Sequence, residues 1–101
     1  MTTISFTGDI AFSRYFKNAW ENPAFIDAEV VGFLQKSDYV AANVESPFTS
    51  GDIAIDSSLT HASNPEAINC LRLIQANLWS IANNHILDCG AKGLADTVRL
   101  A

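Results

Sequence analysis

Three short polar groups in the sequence carry side chains suited to metal binding and proton transfer. They are Gly8-Asp9, Asn43-Val44-Glu45 and Asn83-Asn84-His85. The two acids offer hard carboxylate oxygens, Asn84 offers a neutral amide oxygen, and His85 offers an imidazole nitrogen or a proton. This mixture suits divalent ions such as Mn²⁺, Zn²⁺, Fe or Mg²⁺ better than a soft thiolate site does. Such an ion could activate water and polarise a phosphoryl oxygen.

Each polar group comes at the end of a predicted β-strand. Residues 3–7, 39–43 and 78–82 are short apolar runs rich in β-branched, aromatic or small side chains, which is typical of buried strands. Helical spacing of apolar residues predicts a helix over residues 24–36, with Pro23 at its start. A second helix is predicted from Asn64-Pro65, with Asn64 as N-cap and Asn77 just beyond its end. Its apolar face comprises Ala67, Ile68, Leu71 and Ile74. A final helix is predicted after Gly90 and Gly93.

Strands that alternate with helices predict an α/β fold with a parallel sheet and right-handed crossovers. Because parallel strands end at the same edge of the sheet, the three polar groups are expected to share that edge. Open α/β sheets bind their ligands there. The sequence has neither a Gly-x-Ser-x-Gly elbow nor a glycine-rich phosphate loop.

Simpler explanations exist for each group taken alone. Gly8-Asp9 and Asn43 could belong to turns, Glu45 could be a solvated surface acid, and Asn83-Asn84 could form a turn. Asp88 could cap the following helix or hold His85 in orientation. Three polar strand ends together favour a shared site over three unrelated turns.

Three further residues are given structural roles. His61 is expected to be a plain edge or partly buried histidine. Cys70 and Cys89 are not expected to pair, since the N-terminus lacks the basic and apolar regions of a secretory signal. We therefore expect the protein to be cytoplasmic or peripheral to a membrane.

The overall composition narrows the possible functions. The chain has 101 residues, six Lys and Arg against eleven Asp and Glu, and 49% apolar residues. This length allows one small domain at most. The acidic balance makes nucleic acid an unsuitable partner, and no apolar run approaches the roughly 20 residues of a membrane helix. The last residues, 97–101, have the pattern of a helix interior, so we expect a partial domain over residues 1–101 that lacks its C-terminal half.

The polar groups also resemble the motifs of a known family. Residues 6–10, 42–47 and 80–90, followed by Gly93-Leu94 and Thr97, are similar in order and spacing to the bacterial capsule synthesis protein CapA family, also called the poly-γ-glutamate biosynthesis family. This family is similar to the calcineurin-like metallophosphoesterases. The resemblance implies the N-terminal half of a four-layer α/β/β/α sandwich with mainly parallel strands.

The resemblance also implies roles for individual residues. Asp9, Glu45 and Asn84 would be metal ligands in a site that holds two divalent ions when intact, and His85 would stabilise or protonate the leaving group. Ala11 stands where the superfamily's first motif usually has a histidine. Residues around the ligands, which would orient them or contact substrate, are Gly8, Asn43, Asn83 and Asp88.

Two functions follow as hypotheses. The first is metal-dependent hydrolysis of a phosphate ester or related bond, in a small molecule or polymer, by the intact protein in poly-γ-glutamate capsule synthesis; the 101-residue chain alone is expected to be inactive or barely active. The second is a non-catalytic binding or assembly module in the same process. An unfinished sheet would also expose apolar surface, so self-association is expected.

Overall fold

The structure is a computed structural model, and it describes residues 1–12, 18–22, 24–50 and 61–101. Within these residues, three strands alternate with three α-helices. They are β1 (Ile4–Ile10), α1 (Ala28–Gln35), β2 (Tyr39–Val44), α2 (Ile68–Leu73), β3 (Ala76–Ser80) and α3 (Gly90–Leu100). Short 3₁₀ turns cover Ala19–Glu21 and Pro65–Ala67.

The three strands form one parallel sheet in the order β1-β2-β3. This confirms the predicted α/β class, because the apolar strand runs and the intervening helices leave a parallel arrangement as the natural solution. Central β2 is paired on both sides. The carboxyl ends of all three strands therefore lie at one edge of the sheet, which we call the rim.

Helix α1 and the 3₁₀ turn that leads into α2 each begin at a side-chain cap. Helix α1 begins at Ala28, four residues later than predicted, because the Asp27 carboxylate accepts a hydrogen bond from the backbone of Glu29 and acts as N-cap. The predicted cap at Asn64 is confirmed: its side chain accepts from the backbone of Glu66 at 2.9 Å. The proposed start at Pro23 and the extended piece at residues 53–55 lie outside the described residues.

The predicted end of the second helix is wrong. Helix α2 stops at Leu73, and Gln75 takes a positive φ of 57° that reverses the chain. Asn77 instead lies inside β3, where its side chain accepts from the backbone of Val40 and donates to the carbonyl of Asp38. It is the extra residue of a bulge against β2, and its amide satisfies groups that regular strand pairing would have used.

The two faces of the sheet differ in burial. On one face Val40, Ala42 and Val44 are fully buried against α2 and neighbouring segments. The opposite face is bare and apolar: Phe6 is 79% exposed, and Ile4, Tyr39 and Leu78 are 49%, 45% and 44% exposed. We call this surface the bare face.

A bulge in β1 determines which face receives Asp9. Phe6 pairs with Ala41 and Asp9 pairs with Asn43, so two residues of β1, Thr7 and Gly8, stand opposite one residue of β2. Gly8 has a φ of +82°, a conformation that glycine adopts without strain. Since side chains alternate along a strand, the extra residue transfers Asp9 from the helix-covered face to the bare face, beside Asn43.

Hydrogen bonds hold helix α3 against the segment that follows β2. Buried Thr97 accepts from the backbone of Phe48 at 2.9 Å, and buried Asp96 accepts from the hydroxyl of Thr49 at 2.7 Å. Gly93 lies inside α3 rather than before it. A Cβ there would stand 2.5 Å from that of Cys89, so this position requires glycine. Cys70 and Cys89 are both free thiols, as expected.

Among the helices of the described residues, none combines the length and apolar character that crossing a bilayer requires.

Candidate functional site at the rim of the sheet

A chain of side-chain hydrogen bonds joins the ends of all three strands. The amide nitrogen of Asn43 donates to Oδ1 of Asp9 at 2.8 Å, and the amide nitrogen of Asn83 donates to Oδ1 of Asn43 at 3.0 Å. The Asn83 nitrogen also donates to the carbonyl of Val44, and its oxygen accepts from the backbone of His85. This series of hydrogen bonds fixes the orientation of the Asn43 and Asn83 amides. The other carboxylate oxygen of Asp9 takes no part in it.

His85 is held between two acids. Its Nδ1 lies 2.6 Å from Oδ2 of Asp88, and its Nε2 lies 3.9 Å from Oε1 of Glu45. The three side chains are largely screened from solvent, with 17–22% of each exposed. The ring therefore has one nitrogen committed to Asp88, while the other faces the rim beside Glu45.

The pKa of Asp88 is below its ordinary value. Partial burial acts to raise it, but hydrogen bonds from the His61 backbone and from the His85 ring, and then the two imidazoles, lower it. Asp88 is therefore ionised near neutral pH and can only accept hydrogen bonds. It follows that Nδ1 of His85 carries the proton in this contact, which leaves Nε2 available to bind a ligand or to exchange a proton.

His61, predicted to be a plain edge or partly buried histidine, is partly buried and lies in the same cluster as His85. Its ring centroid lies 4.0 Å from that of His85, with the planes inclined at 49°. Its backbone is held on both sides: N–H donates to Oδ2 of Asp88 at 2.7 Å, and its carbonyl accepts from the Cys89 thiol at 3.4 Å. Nothing in the local sequence indicates this, because the two histidines are distant along the chain.

The Cys89 thiol is a structural donor. Burial, and then the negative charge of Asp88, raise the pKa of Cys89 above its ordinary value. A thiol with a raised pKa is a weaker nucleophile than an ordinary cysteine.

The neighbouring asparagines differ in their surroundings. Asn83 is partly buried and makes three hydrogen bonds. Asn84 is exposed, and its side chain makes no hydrogen bond within the described part of the chain. Its amide oxygen is thus free to bind a ligand, whereas the oxygens of Asn83 and Asn43 are occupied.

The donor atoms at the rim are of the type that a hard divalent ion prefers, but the described residues offer too few of them for a complete site. Asp9, Glu45 and Asn84 supply oxygen donors of the type such ions prefer. Within residues 1–12, 18–22, 24–50 and 61–101, however, no three His, Cys, Asp or Glu side chains converge as a metal site would require. An ion held here would therefore need ligands beyond these described residues.

The predicted site residues are thus largely brought together. Hydrogen bonds connect Asp9, Asn43 and Asn83. The bulge at Gly8 places Asp9 on the same face of the sheet as Asn43. His85 contacts Glu45 and Asp88. Asn84 follows Asn83 at the rim and is joined to none of the others by a hydrogen bond between described residues. Sequence reasoning missed His61.

Fold and site together define a parallel α/β protein with an acid, amide and imidazole cluster at the carboxyl ends of its strands. Residues 3–101 match the family model described as bacterial capsule synthesis protein PGA_cap. The chain belongs to this family.

Curated relatives agree with this assignment. The chain is 33% identical to the PGA biosynthesis protein CapA of Bacillus subtilis (strain 168) over 98 residues, which is 93% of this chain and 26% of that protein. It is 28% identical to the capsule biosynthesis protein CapA of Bacillus anthracis over 103 residues, or 96% of this chain and 25% of that protein. A probable polyglutamine synthesis accessory protein of Mycobacterium tuberculosis (strain CDC 1551 / Oshkosh) is 33% identical over 63 residues, or 61% of this chain and 17% of that protein. The chain thus spans about a quarter of the two CapA proteins.

Proposed function

We propose that this chain forms one wall of a hydrolytic site in a protein of poly-γ-glutamate or related capsule polymer biosynthesis. The intact protein would cleave a phosphate ester or a related bond. The observation that carries the proposal is the continuous connection from Asp9 through Asn43 and Asn83 to His85. This connection ends at the backbone N–H of His85, whose ring is held by Asp88, so an acid and an imidazole are both positioned at one rim. Hydrolysis needs such an arrangement, and a set of surface turns does not.

Each rim residue has a definite task in this proposal. Asp88 keeps the proton on Nδ1 of His85, so that Nε2 can hold or deliver a proton to a leaving group near Glu45. Asp9, Glu45 and Asn84 would hold part of the coordination sphere of one or two divalent ions. When bound, such an ion would polarise a phosphoryl oxygen and activate water.

The experiment is a Mn²⁺ titration of the chain by calorimetry, with a phosphatase assay on p-nitrophenyl phosphate alongside. We expect weak binding, since the described donors are few, and further weakening in Asp9→Ala and Asn84→Ala. Glu29→Ala, which removes an exposed acid of α1 remote from the rim, is the control and should bind as the parent chain does. Equal binding by all four proteins would contradict the metal assignment.

The phosphatase assay tests a separate point. The chain should show little or no turnover with Mn²⁺, because the ligand set among its described residues is incomplete. Robust turnover would contradict this expectation.

One observation favours a second candidate function. The donor set among the described residues is incomplete, and this, together with the bare apolar face, also suits a non-catalytic binding or assembly module. Such a module should not bind Mn²⁺, and the Asp9 and Asn84 substitutions should not change this result. The same titration therefore distinguishes a hydrolytic site from a non-catalytic module.

A further inference from the structure

The two acids beside His85 hold its ring firmly at one edge only. Nδ1 lies 2.6 Å from Oδ2 of Asp88, which is a hydrogen-bond distance, whereas Nε2 lies 3.9 Å from Oε1 of Glu45, which is too long for one. The last torsion of a histidine side chain is also soft, with broad minima. The two acids alone would therefore allow the ring to rock about its Nδ1 edge and swing Nε2 across the rim.

The ring of His61 lies against the ring of His85 and limits this rocking. The two ring centroids are 4.0 Å apart, and the ring planes are inclined at 49°. At this separation the rings are in van der Waals contact, so His85 cannot turn further toward His61 without a clash. The hydrogen bond to Asp88 runs along the ring edge and resists such a rotation less than a contact on the ring face does.

The backbone of His61 is itself fixed by two adjacent residues. Its N–H donates to Oδ2 of Asp88 at 2.7 Å, and its carbonyl accepts from the Cys89 thiol at 3.4 Å. Oδ2 of Asp88 is the same atom that holds Nδ1 of His85, so one shared acceptor sets the spacing of the two histidines. Because both hydrogen bonds come from the His61 backbone, they remain when the His61 side chain is replaced.

We infer that His61 is a positioning residue for His85. Its ring confines the plane of the His85 imidazole, while Asp88 sets the tautomer, so that Nε2 keeps one direction at the rim. This role rests on the proposed hydrolytic function, because delivery of a proton to a leaving group requires a donor that is held in one geometry. It requires no contact between His61 and the substrate.

The test is NMR spectroscopy of the whole chain with ¹³C- and ¹⁵N-labelled histidine, without metal or substrate. In the parent chain, the ring protons of His61 and His85 should show nuclear Overhauser contacts. The order parameter of the His85 ring C–H bonds should be about 0.85, as in rigid groups, and should fall below about 0.6 in His61→Ala. The Nδ1–H tautomer of His85 should persist in this variant, because Asp88 is intact.

Two further variants separate the ring contact from other effects. His61→Phe keeps an aromatic ring without the imidazole nitrogens, so it should restore the order parameter of the parent chain. Tyr39→Ala removes an aromatic ring at the opposite end of β2 from the rim and should leave the His85 ring ordered. Backbone ¹H–¹⁵N spectra verify that each variant is folded, and the Overhauser contacts of the parent chain test the ring contact without any variant.

Three results would overturn the positioning role of His61. One is the absence of Overhauser contacts between the two rings in the parent chain. Another is a His85 ring that is as ordered in His61→Ala as in the parent chain. The third is a loss of order in His61→Phe or in Tyr39→Ala that equals the loss in His61→Ala. Failure of the proposed function is a different result, since it is read from the Mn²⁺ titration and leaves these ring measurements unchanged.

Discussion

Asp88 and His85 are joined by a contact of 2.6 Å between Oδ2 and Nδ1, and the same oxygen accepts the backbone N–H of His61. One carboxylate oxygen therefore fixes two histidines that come from different parts of the chain. Asp88 therefore holds the His85 ring and the His61 backbone in place at the rim, and this role can be tested without any substrate.

Replacing Asp88 by Asn should free the His85 ring. The neutral amide gives up the charge that favours a proton on Nδ1, so long-range ¹H–¹⁵N spectra should show His85 changing from one tautomer to a mixture. The free energy of unfolding should fall by roughly 1.5–3 kcal/mol, the usual range for hydrogen bonds to a charged group.

Asp38→Asn is the control for this variant, because the exposed Asp38 carboxylate also accepts a backbone N–H, that of Thr3 at 2.8 Å. It should cost less than about 1 kcal/mol at its exposed position and leave the His85 spectrum unchanged. A single Nδ1–H tautomer that persists in Asp88→Asn would contradict the assigned role.

Replacing the adjacent residues Asn83 and Asn84 by Ala should affect stability to different extents. Asn83→Ala removes three hydrogen bonds and should lower the free energy of unfolding by roughly 1–3 kcal/mol. Asn84→Ala should leave stability within about 0.5 kcal/mol of the parent, since its side chain is exposed and makes no hydrogen bond within the described segments. Urea unfolding measures both. Equal stability losses in the two variants would refute the division of roles.

Gly8→Ala should destabilise the chain by roughly 1–2 kcal/mol. No atom lies within 4 Å of a Cβ built there, so the cost comes from the positive φ and not from a clash. Gly32→Ala is the matched control: it has the same open surroundings but lies inside α1, where Ala is favoured over Gly by up to about 1 kcal/mol. Thermal unfolding should show opposite signs for the two variants, and the same sign would argue against the bulge.

Asp96 gives a prediction for acid stability. Hydrogen bonds first from Lys92 and then from Thr49, with the charges of Lys92 and Arg99, hold the pKa of Asp96 below its ordinary value. The unfolded chain therefore takes up this proton at higher pH than the folded chain does. The stabilisation is complete above the unfolded pKa of about 3.9 and is lost as pH falls through the lower folded value.

Urea unfolding of the parent chain and Asp96→Asn measures this effect, since the other carboxylates are common to both proteins. The parent's advantage should be constant from about pH 7 to 5 and shrink below about pH 4. An advantage that stays the same down to about pH 2.5 would exclude Asp96 as its source.

Local chemistry explains what the sequence could predict. Apolar runs with polar ends predicted the parallel sheet and its shared edge, and the Asn64-Pro65 pair predicted a helix start, because each depends on residues close together in sequence. The gathering of Asp9, Asn43 and Asn83 followed from the same argument about parallel strands.

The errors have local and long-range causes. Helix α1 begins at Ala28 and not at Ala24 because the Asp27 side chain caps it. Strand β3 begins two residues earlier than predicted, and there the Asn77 side chain accepts a hydrogen bond from the Val40 backbone of β2. His61 approaches His85 only when a distant segment returns to the turn after β3. No window of neighbouring residues contains that information.

The bulge at Gly8 determines which side of the sheet carries the Asp9 carboxylate, because it adds one residue to β1 before Asp9. Loss of a single residue between Phe6 and Asp9 would restore strict alternation of side chains along β1. The Asp9 carboxylate would then lie on the helix-covered face, among aliphatic side chains that offer it no partner. In this short stretch an insertion or deletion would be more damaging to the rim than most amino-acid exchanges, so family members should vary there in residue type before they vary in length.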